Sequence, residues 1–257
     1  MSRRVGDFVK PYLYAVGATP YLFTAGLRTH RHRALVHTIA RHFGYGASTT
    51  PPRVAPEELL TQADCLQARE VVSVNGGGVS FVELLVLAAL VSQSRPRAIF
   101  EIGTFEGRTT LNFAMNAPES RVYTLDLPPS QVDATALPIE QGERSCIVKP
   151  ASGRKFLGTP AADRIVQLFG DSATFDFGPY EGEIDFVFVD GSHKDEYVLN
   201  DTEIALRLLR NGRGVIAWHD YGSWPGVARV LDRLYRGRPE FRGLRHVDGT
   251  TVACLVL

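Results

Sequence analysis

The sequence predicts an α/β fold: a doubly wound, mostly parallel sheet with helices on both faces and a C-terminal antiparallel hairpin. Short apolar runs rich in β-branched and aromatic residues alternate with helix-like segments, which is typical of strands buried on both faces. These runs are Ala98–Ile102, Val122–Leu125, Ile165–Phe169, Ile184–Val189 and Val215–Trp218. Between the last two lies an amphipathic segment, Tyr197–Leu209, closed by Asn211-Gly212. Leu244–Val247 and Thr251–Leu257 flank Asp248-Gly249, which indicates a tight hairpin turn.

Composition and charge exclude several classes of protein. The chain has 257 residues, 44% of them hydrophobic and 22% charged, which excludes disorder, collagen and coiled coil. The formal net charge is +0, but residues 1–50 contain seven bases and one acid. We therefore predict a basic N-terminal arm and linker over residues 1–55 and one domain over residues 56–257. The 3 cysteines form no CxxC pair, which favours a reducing cytoplasmic location.

The N-terminal arm carries a basic, histidine-rich stretch. Four histidines are interleaved with arginines there: His30, His32, His37 and His42. A metal site is conceivable, but we interpret the stretch as a basic surface or a contact in a homo-oligomer. We expect no nucleic-acid partner, because no aromatic stacking module accompanies the bases. We also expect no membrane partner, because Gly17 and Pro20 interrupt the apolar stretch Tyr12–Gly26.

Prolines and glycines divide the rest of the chain. Ala47–Pro56 contains three prolines and predicts a linker, after which Pro56 can start a helix. Val79–Ser92 predicts a buried helix that ends before Pro96. The long segment Leu127–Pro160 contains five prolines, and we expect it to help shape an acceptor pocket.

A polar group follows every predicted buried strand. These groups are the turn from Glu101 to Gly107, Asp126, Asp171-Ser172, Asp190-Gly191 and His219-Asp220. Ligands of open α/β sheets bind just beyond such strand ends. The turn contains Gly103 and Gly107 but is not the G-x-G-x-x-G fingerprint of dinucleotide-binding sites. Asp126 is placed to accept hydrogen bonds from a ribose diol, so the pattern indicates an adenosine-type ligand without strong signs of phosphates.

Five segments together resemble the class I S-adenosylmethionine-dependent methyltransferases, whose fold is Rossmann-like. They read AIFEIGTFEGRTT, VYTLD, LFGDSATFDF, IDFVFVDGSHKDEY and GVIAWHDY. The nearest group is similar to the bacterial small-molecule methyltransferases related to catechol and caffeoyl-CoA O-methyltransferases. The resemblance covers about residues 75–257, and it is the order and spacing of the segments that carry it.

The resemblance implies roles for named residues. The methionine part of S-adenosylmethionine is flanked by the glycine turn, namely Glu101, Gly103, Thr104, Phe105 and Gly107. Asp126 holds the ribose hydroxyls, and Asp190 lies near the sulfonium and the substrate. Asp171 and Ser172 border the adenine. In metal-dependent relatives the aspartate that matches Asp190 binds a divalent cation together with an Asp-Asn or Asp-Asp pair.

At the place of that pair this chain has His219-Asp220. A set of Asp190, His219 and Asp220 could bind Mg²⁺ or another divalent ion, although histidine is a less natural ligand for Mg²⁺ than oxygen. The sequence leaves open whether a metal is required.

The sulfonium carries a reactive methyl group, so the protein must position a nucleophile and remove its proton. The candidate bases are His193, His219 and Lys194. Ser192 and Asp195 resemble a capping box, which would place His193 in a first helical turn and lower its pKa. The resemblance aligns Lys194 with the base of catechol-type relatives, with the local spacing off by one residue.

These observations favour methyl transfer from S-adenosylmethionine to a hydroxyl of a small molecule. A metal-independent N- or O-methyltransferase is the first alternative. A nicotinamide dehydrogenase is disfavoured by the missing third glycine. A methyltransferase-fold protein that binds ligand without catalysis is the remaining alternative.

Overall fold

The computed structural model describes residues 6–29, 49–60, 78–139 and 143–257, together with His32, Leu35, Val36 and Ile39. The chain divides into two compact units, residues 1–46 with 72–77 and residues 47–71 with 78–257. In the first unit, helix α1 (Gly6–Leu22) is followed by a 3₁₀ turn at Ala25–Arg28. The His32 ring contacts the Tyr21 ring edge-on, with centroids 5.3 Å apart. The other three histidines of the basic stretch (His30, His37 and His42) lie outside the described residues.

The second unit is built on one sheet, to which the described residues contribute eight strands. The strands are β1 (Arg53–Val54), β2 (Ala98–Ile102), β3 (Arg121–Asp126), β4 (Ile165–Phe169), β5 (Phe186–Val189), β6 (Val215–Trp218), β7 (Arg245–Val247) and β8 (Ala253–Val256). Their order across the sheet is β1-β7-β8-β6-β5-β2-β3-β4. Only the pairings of β8 with β6 and β7 are antiparallel among these strands. The predicted α/β class, with its mostly parallel sheet and C-terminal antiparallel pair, is confirmed.

Helices connect the strands. They are α2 (Pro56–Leu59), α3 (Phe81–Ser94), α4 (Arg108–Asn116), α5 (Arg144–Ile147), α6 (Asp195–Leu208) and α7 (Pro225–Gly237). A capping box starts α3: the Glu83 N–H donates to Ser80 Oγ, and the Ser80 N–H donates to Glu83 Oε2 at 2.7 Å. This pair satisfies two of the backbone donors that a helix leaves open at its N-terminus.

The strand order reverses between β2 and β5. From β2 the chain moves outward through β3 to β4, and it then returns to place β5 on the other side of β2. Next to it, β6 pairs with β5. The crevice at the carboxyl ends of β2 and β5 is therefore the topological switch point, where such sheets bind ligands.

The core lies on both faces of the sheet, because successive residues of a strand point to opposite sides. In β5, Phe186 and Phe188 pack in one apolar cluster with residues of α3 and α4, whereas Val187 and Val189 pack in the other with residues of α6 and α7. All four side chains are buried. Burial on both faces explains why the strands appear in the sequence as continuous apolar runs.

Several boundaries differ from those predicted. Strand β5 begins at Phe186, and Ile184 forms only an isolated bridge with Leu209. Inside the predicted linker, Arg53-Val54 pairs with β7 as an edge strand, while the boundary proposed at residues 55 and 56 stays a prediction. None of the helices in the described ranges combines the length and the apolar content needed to cross a membrane.

Candidate active site

The glycine turn after β2 brings the ends of two strands into contact. Gly103 has a φ of +104°, and a Cβ there would lie 2.0 Å from the carbonyl oxygen of Asp190. Only glycine fits, because any side chain would collide with the backbone that follows β5. Gly107, at φ +80°, would likewise place a Cβ 2.6 Å from the Phe156 ring. The close approach that Gly103 permits is therefore an approach of protein backbone.

Glu101 lies below this turn with no exposed surface. Its Oε2 accepts hydrogen bonds from the hydroxyls of Thr110 and Thr124, the latter at 2.6 Å. Its Oε1 is buried without a hydrogen-bond partner among the described residues. Burial raises the pKa of Glu101 to about 8, helped by the negative charges of Asp190 and Asp126 and opposed by the two hydroxyls.

Asp126 ends β3 beside the turn and is buried. Its Oδ1 faces the Phe105 N–H at 3.4 Å, and its Oδ2 lies 2.6 Å from Lys149 Nζ. The ammonium also stands 5.8 Å from the centroid of the Phe105 ring. Lys149 belongs to the long segment expected to shape the acceptor pocket, and here it covers the proposed ribose acid. Phe105 adopts a left-handed φ of 51°, which is unusual for an aromatic residue.

Asp171 follows β4 and is also covered from several sides. Its Oδ1 accepts hydrogen bonds from the Tyr197 hydroxyl at 2.8 Å and from the Ala173 N–H at 2.9 Å. Its Oδ2 accepts one from the Ala136 N–H at 2.7 Å. Ser172 is partly buried next to it. Thr104 points into the sheet, where its hydroxyl lies 2.7 Å from that of Thr124.

Asp190, His219 and Asp220 form a cluster whose ligand atoms all lie within 4.8 Å of one another. His219 Nδ1 is 3.0 Å from Asp190 Oδ1 and 3.2 Å from Asp220 Oδ2. His219 is buried, and the two aspartates are partly exposed. Asp220 has a left-handed φ of 60°, a conformation that aspartate tolerates better than most residues. The structure thus brings together the three predicted metal ligands.

Neighbouring charges outweigh burial in setting the pKa values of His219 and Asp220. Burial by itself would lower the pKa of His219, but the charges of Asp190 and Asp220 hold that pKa well above its usual range. Burial would raise the pKa of Asp220, yet the charge of His219 and the hydrogen bond to His193 lower it. The Asp220 carboxylate is therefore ionised because a cationic partner lies beside it.

The expected environment of His193 is wrong in two respects. The helix begins at Asp195 with Lys194 as its N-cap residue, so His193 precedes the helix instead of occupying its first turn. Ser192 does not cap the helix; its hydroxyl donates to Glu143 Oε2 at 2.8 Å. The pKa of His193 is not lowered: burial opposes the shift, but hydrogen bonds to Asp220 and Glu143 raise it to about 9.

His193 is held on three sides. Its Nε2 lies 2.9 Å from Asp220 Oδ2, and its Nδ1 lies 2.6 Å from Glu143 Oε1. The ring stacks on Trp224, with centroids 4.4 Å apart and planes 13° from parallel. His193 therefore extends the cluster through Asp220. Lys194 is partly exposed at the helix start.

Sequence reasoning missed two acids of this site. Glu143 contacts His193 from within the proline-rich segment, and no local pattern marks it. Glu83 Oε2 lies 3.3 Å from His219 Nε2. The spacing of Ser80 and Glu83 is a recognisable capping box, so that signal would have found Glu83 as a helix cap, though not as a partner of His219.

A family model matches the central part of the chain. The sequence profile of a family described as "Methyltransferase domain" matches residues 100–221, which contain the glycine turn and the cluster around His219. Residues 100–221 of the chain are therefore similar to a methyltransferase domain. No curated protein sequence matches this chain.

Solved structures are similar to this chain in fold at low sequence identity. A Staphylococcus aureus protein provisionally described as a caffeoyl-CoA O-methyltransferase is 14% identical, with a TM-score of 0.50 over 69% of this chain and 83% of that one. An O-methyltransferase from Bacillus cereus, solved with S-adenosylhomocysteine, is 22% identical, with a TM-score of 0.48 over 71% and 84%. TomG from Streptomyces achromogenes, an O-methyltransferase of tomaymycin synthesis solved with S-adenosylmethionine, is 20% identical, with a TM-score of 0.47 over 70% and 81%.

Proposed function

We propose that this protein transfers the methyl group of S-adenosylmethionine to a hydroxyl group of a small molecule. The observation that carries the proposal is the convergence of Asp190, His219, Asp220 and His193 beside the glycine turn at the switch point. O-methylation requires a group that takes the hydroxyl proton and a site that aligns the oxygen with the sulfonium methyl. The residues for both tasks lie together here.

The cofactor would lie along the carboxyl ends of β2, β3 and β4. Asp126 would accept hydrogen bonds from the ribose hydroxyls, and Asp171 with Ser172 would border the adenine. Oε1 of Glu101 is buried and has no hydrogen-bond partner in the part of the chain that the structure describes, which supports this assignment, because the ammonium of the methionyl group would supply a donor and a positive charge.

The donor set of Asp190, His219 and Asp220 fits a divalent cation, because it offers two carboxylates and one imidazole nitrogen within 4.8 Å of one another. When bound there, the cation would polarise the acceptor hydroxyl and offset the negative charge around His193. The aspartates and His219 would hold it, while Glu83 and Glu143 orient the two imidazole rings.

His193 would accept the hydroxyl proton at Nε2 when a bound cation offsets the negative charge of Asp220 and Glu143, which otherwise keeps the imidazole protonated. Trp224 fixes the plane of its ring, and Glu143 holds Nδ1, so Nε2 points toward the cluster and not into solvent. A base that is pre-positioned in this way needs little reorganisation when the acceptor binds. General-base catalysis of this kind contributes about 10²–10⁴-fold.

The metal-independent alternative also has an observation in its favour. His219 Nδ1 contacts both aspartates, at 3.0 Å and 3.2 Å. As an imidazolium, His219 could compensate their charge without any metal ion. Whether methyl transfer depends on added divalent cation separates the two forms of the proposal.

The test is calorimetric titration with S-adenosylmethionine and with NAD⁺, followed by transfer of a labelled methyl group to a panel of catechols, phenols and sugars. His193→Ala should lower turnover by about 10²–10⁴-fold while the affinity for S-adenosylmethionine is retained. Asp163→Ala is the matched control, because Asp163 is exposed and only its carbonyl oxygen accepts a described hydrogen bond. Tight binding of NAD⁺ without binding of S-adenosylmethionine would contradict the proposal.

Three further statements belong to the same proposal. The acceptor is a small molecule and not a nucleic acid or a membrane lipid, in line with the balanced net charge. The protein acts in the cytoplasm, in line with its few, scattered cysteines. The basic N-terminal arm contributes to a homo-oligomer contact, which light scattering of the full chain and of a chain lacking the arm would test.

A further inference from the structure

His219 has an acidic partner on each side of its ring. Nδ1 faces Asp190 and Asp220, and Nε2 lies 3.3 Å from Glu83 Oε2. Both His219 and Glu83 are more than nine-tenths buried. Because an imidazole has two distinct nitrogens, the partner of one nitrogen decides what the other can do.

Glu83 is fixed before His219 contacts it. Its Oε1 accepts hydrogen bonds from the Thr251 N–H and the Thr251 hydroxyl, both at 2.7 Å. Its Oε2 accepts one from the Ser80 N–H at 2.7 Å. The carboxylate is therefore clamped between the start of α3 and the loop before β8, and it cannot turn away from the imidazole without losing these bonds.

Both ring nitrogens of His219 face carboxylates, which only accept hydrogen bonds, so without a cation both nitrogens would carry a proton. A cation held by Asp190 and Asp220 would take the place of the proton on Nδ1, while Nε2 would keep the proton that it donates to Glu83. His219 would then be a neutral ligand whose lone pair lies on Nδ1, the nitrogen that faces the two aspartates. Histidines that ligate metals characteristically donate their other N–H to a carboxylate or a carbonyl, which fixes the tautomer and raises the basicity of the ligand.

We propose that Glu83 is a positioning residue that presents His219 Nδ1 as a nitrogen ligand, so that the site formed with Asp190 and Asp220 takes a transition-metal cation in preference to Mg²⁺. This inference rests on the cation-assisted form of the proposed function. An imidazole ligand suits cations such as Co²⁺ and Zn²⁺, whereas Mg²⁺ is held through oxygen. This chain has His219-Asp220 where the metal-dependent relatives have two residues with oxygen ligands, and this difference would change the metal preference of the site.

The probe is Co²⁺, whose visible absorption reports its ligands independently of any activity. Chelator-treated full-length protein is titrated with Co²⁺, and the complex is then challenged with Mg²⁺. We expect one Co²⁺ per chain, a visible band, and no displacement by about a hundredfold excess of Mg²⁺, given the preference of imidazole for transition metals.

Variants separate the roles of the two residues. Glu83→Gln should weaken Co²⁺ binding by about 10–100-fold, the usual effect of losing such an orienting partner. His219→Asp should lose the visible signature of nitrogen ligation and let Mg²⁺ compete. Ser80→Ala is the matched control, because it weakens the same helix cap without touching His219; it should lower stability and leave Co²⁺ affinity unchanged.

Each outcome has one meaning. Co²⁺ binding that is indifferent to both Glu83→Gln and His219→Asp overturns the inference, while methyl transfer by the same samples would leave the proposed function standing. Absence of Co²⁺ binding alongside methyl transfer overturns the inference and the metal-assisted form together, and it identifies His219 as an internal cation. Absence of both S-adenosylmethionine binding and methyl transfer counts against the proposed function itself.

Discussion

Glu101→Gln tests whether the acid beneath the glycine turn is protonated in the cofactor-free protein. One oxygen of Glu101 accepts from two threonine hydroxyls, and the other is buried without a partner among the described residues. Burial raises its pKa from the ordinary 4.5 to about 8. The glutamine keeps the acceptor for the threonines and removes the titration, so it isolates the energetic effect of ionisation.

The sign and the size follow from linkage. The folded pKa lies above the unfolded one, so between about pH 4.5 and 8 the native state binds more protons than the unfolded state. The free energy of unfolding must therefore fall as the pH rises through that window. A shift from 4.5 to about 8, at about 1.36 kcal/mol per pKa unit, corresponds to a loss on the order of 5 kcal/mol.

Glu101→Gln should not lose free energy of unfolding in this way as the pH rises, because glutamine does not titrate. At pH 5 we expect Glu101→Gln to be less stable than the wild type by about 1–3 kcal/mol, because its amide N–H groups take the place of the unpartnered oxygen. At pH 8 the order should reverse, because the wild type has by then ionised a buried carboxyl group.

The assay is urea unfolding at several pH values between 5 and 8, without cofactor and with chelator present. The exposed Glu119→Gln is the matched control and should follow the wild type at every pH. A difference between wild type and Glu101→Gln that stays constant from pH 5 to pH 8 would refute the reasoning, because it would mean that Glu101 does not titrate in this range.

Three further predictions concern Asp201 of α6, the glycine turn and the proposed ribose acid. Burial raises the pKa of Asp201 from 3.8 to about 7, so by the same linkage the wild type should lose free energy of unfolding between about pH 4 and 7. Asp201→Asn should remove this loss, as measured by urea unfolding across that range. A stability difference between the two proteins that is the same at every pH would contradict the prediction. Gly103→Ala should destabilise the protein by more than about 3 kcal/mol in thermal unfolding, because its Cβ would overlap the carbonyl oxygen of Asp190. Gly158 also has a left-handed φ, but no atom lies near its Cβ position, so Gly158→Ala should cost only about 1–2 kcal/mol. Lys149→Met should raise the affinity for S-adenosylmethionine about fivefold, because it frees the Asp126 carboxylate from an ion pair worth about 1 kcal/mol. Calorimetry measures this affinity, and weaker binding would show that Lys149 helps to hold the cofactor.

The centre of the sheet could be predicted from the sequence because its strands are buried on both faces. Burial of that kind favours continuous apolar runs, so Ala98–Ile102 and Val215–Trp218 were predicted with the bounds that the structure shows. The bounds of Ile165–Phe169 were also predicted, although this edge strand is only partly buried and Phe169 is exposed. Their order along the chain also placed the polar residues at a common edge. These are local signals, and each is contained in a short stretch of sequence.

The environment of the histidines could not be predicted in the same way. Ser192 had the local pattern of a helix cap, but its hydroxyl bonds to Glu143, 49 positions earlier in the chain. Glu83 meets His219 across 136 positions. Such contacts arise only after the sheet, α3 and the proline-rich segment have assembled, so a pattern confined to neighbouring residues cannot report them.

The balance of charge at the switch point explains why these distant partners are needed. Folding gathers several buried or half-buried acids at one edge of the sheet, and their mutual repulsion must be compensated. The described residues do this in three ways: Glu101 keeps its proton, Lys149 pairs with Asp126, and the two histidines lie between Glu83, Glu143, Asp190 and Asp220. In the proposed complex the same acids would face the ammonium of the cofactor, its ribose hydroxyls and the cation. An edge with this excess of acid is therefore suited to a cationic cofactor such as S-adenosylmethionine, and not to the pyrophosphate of a dinucleotide.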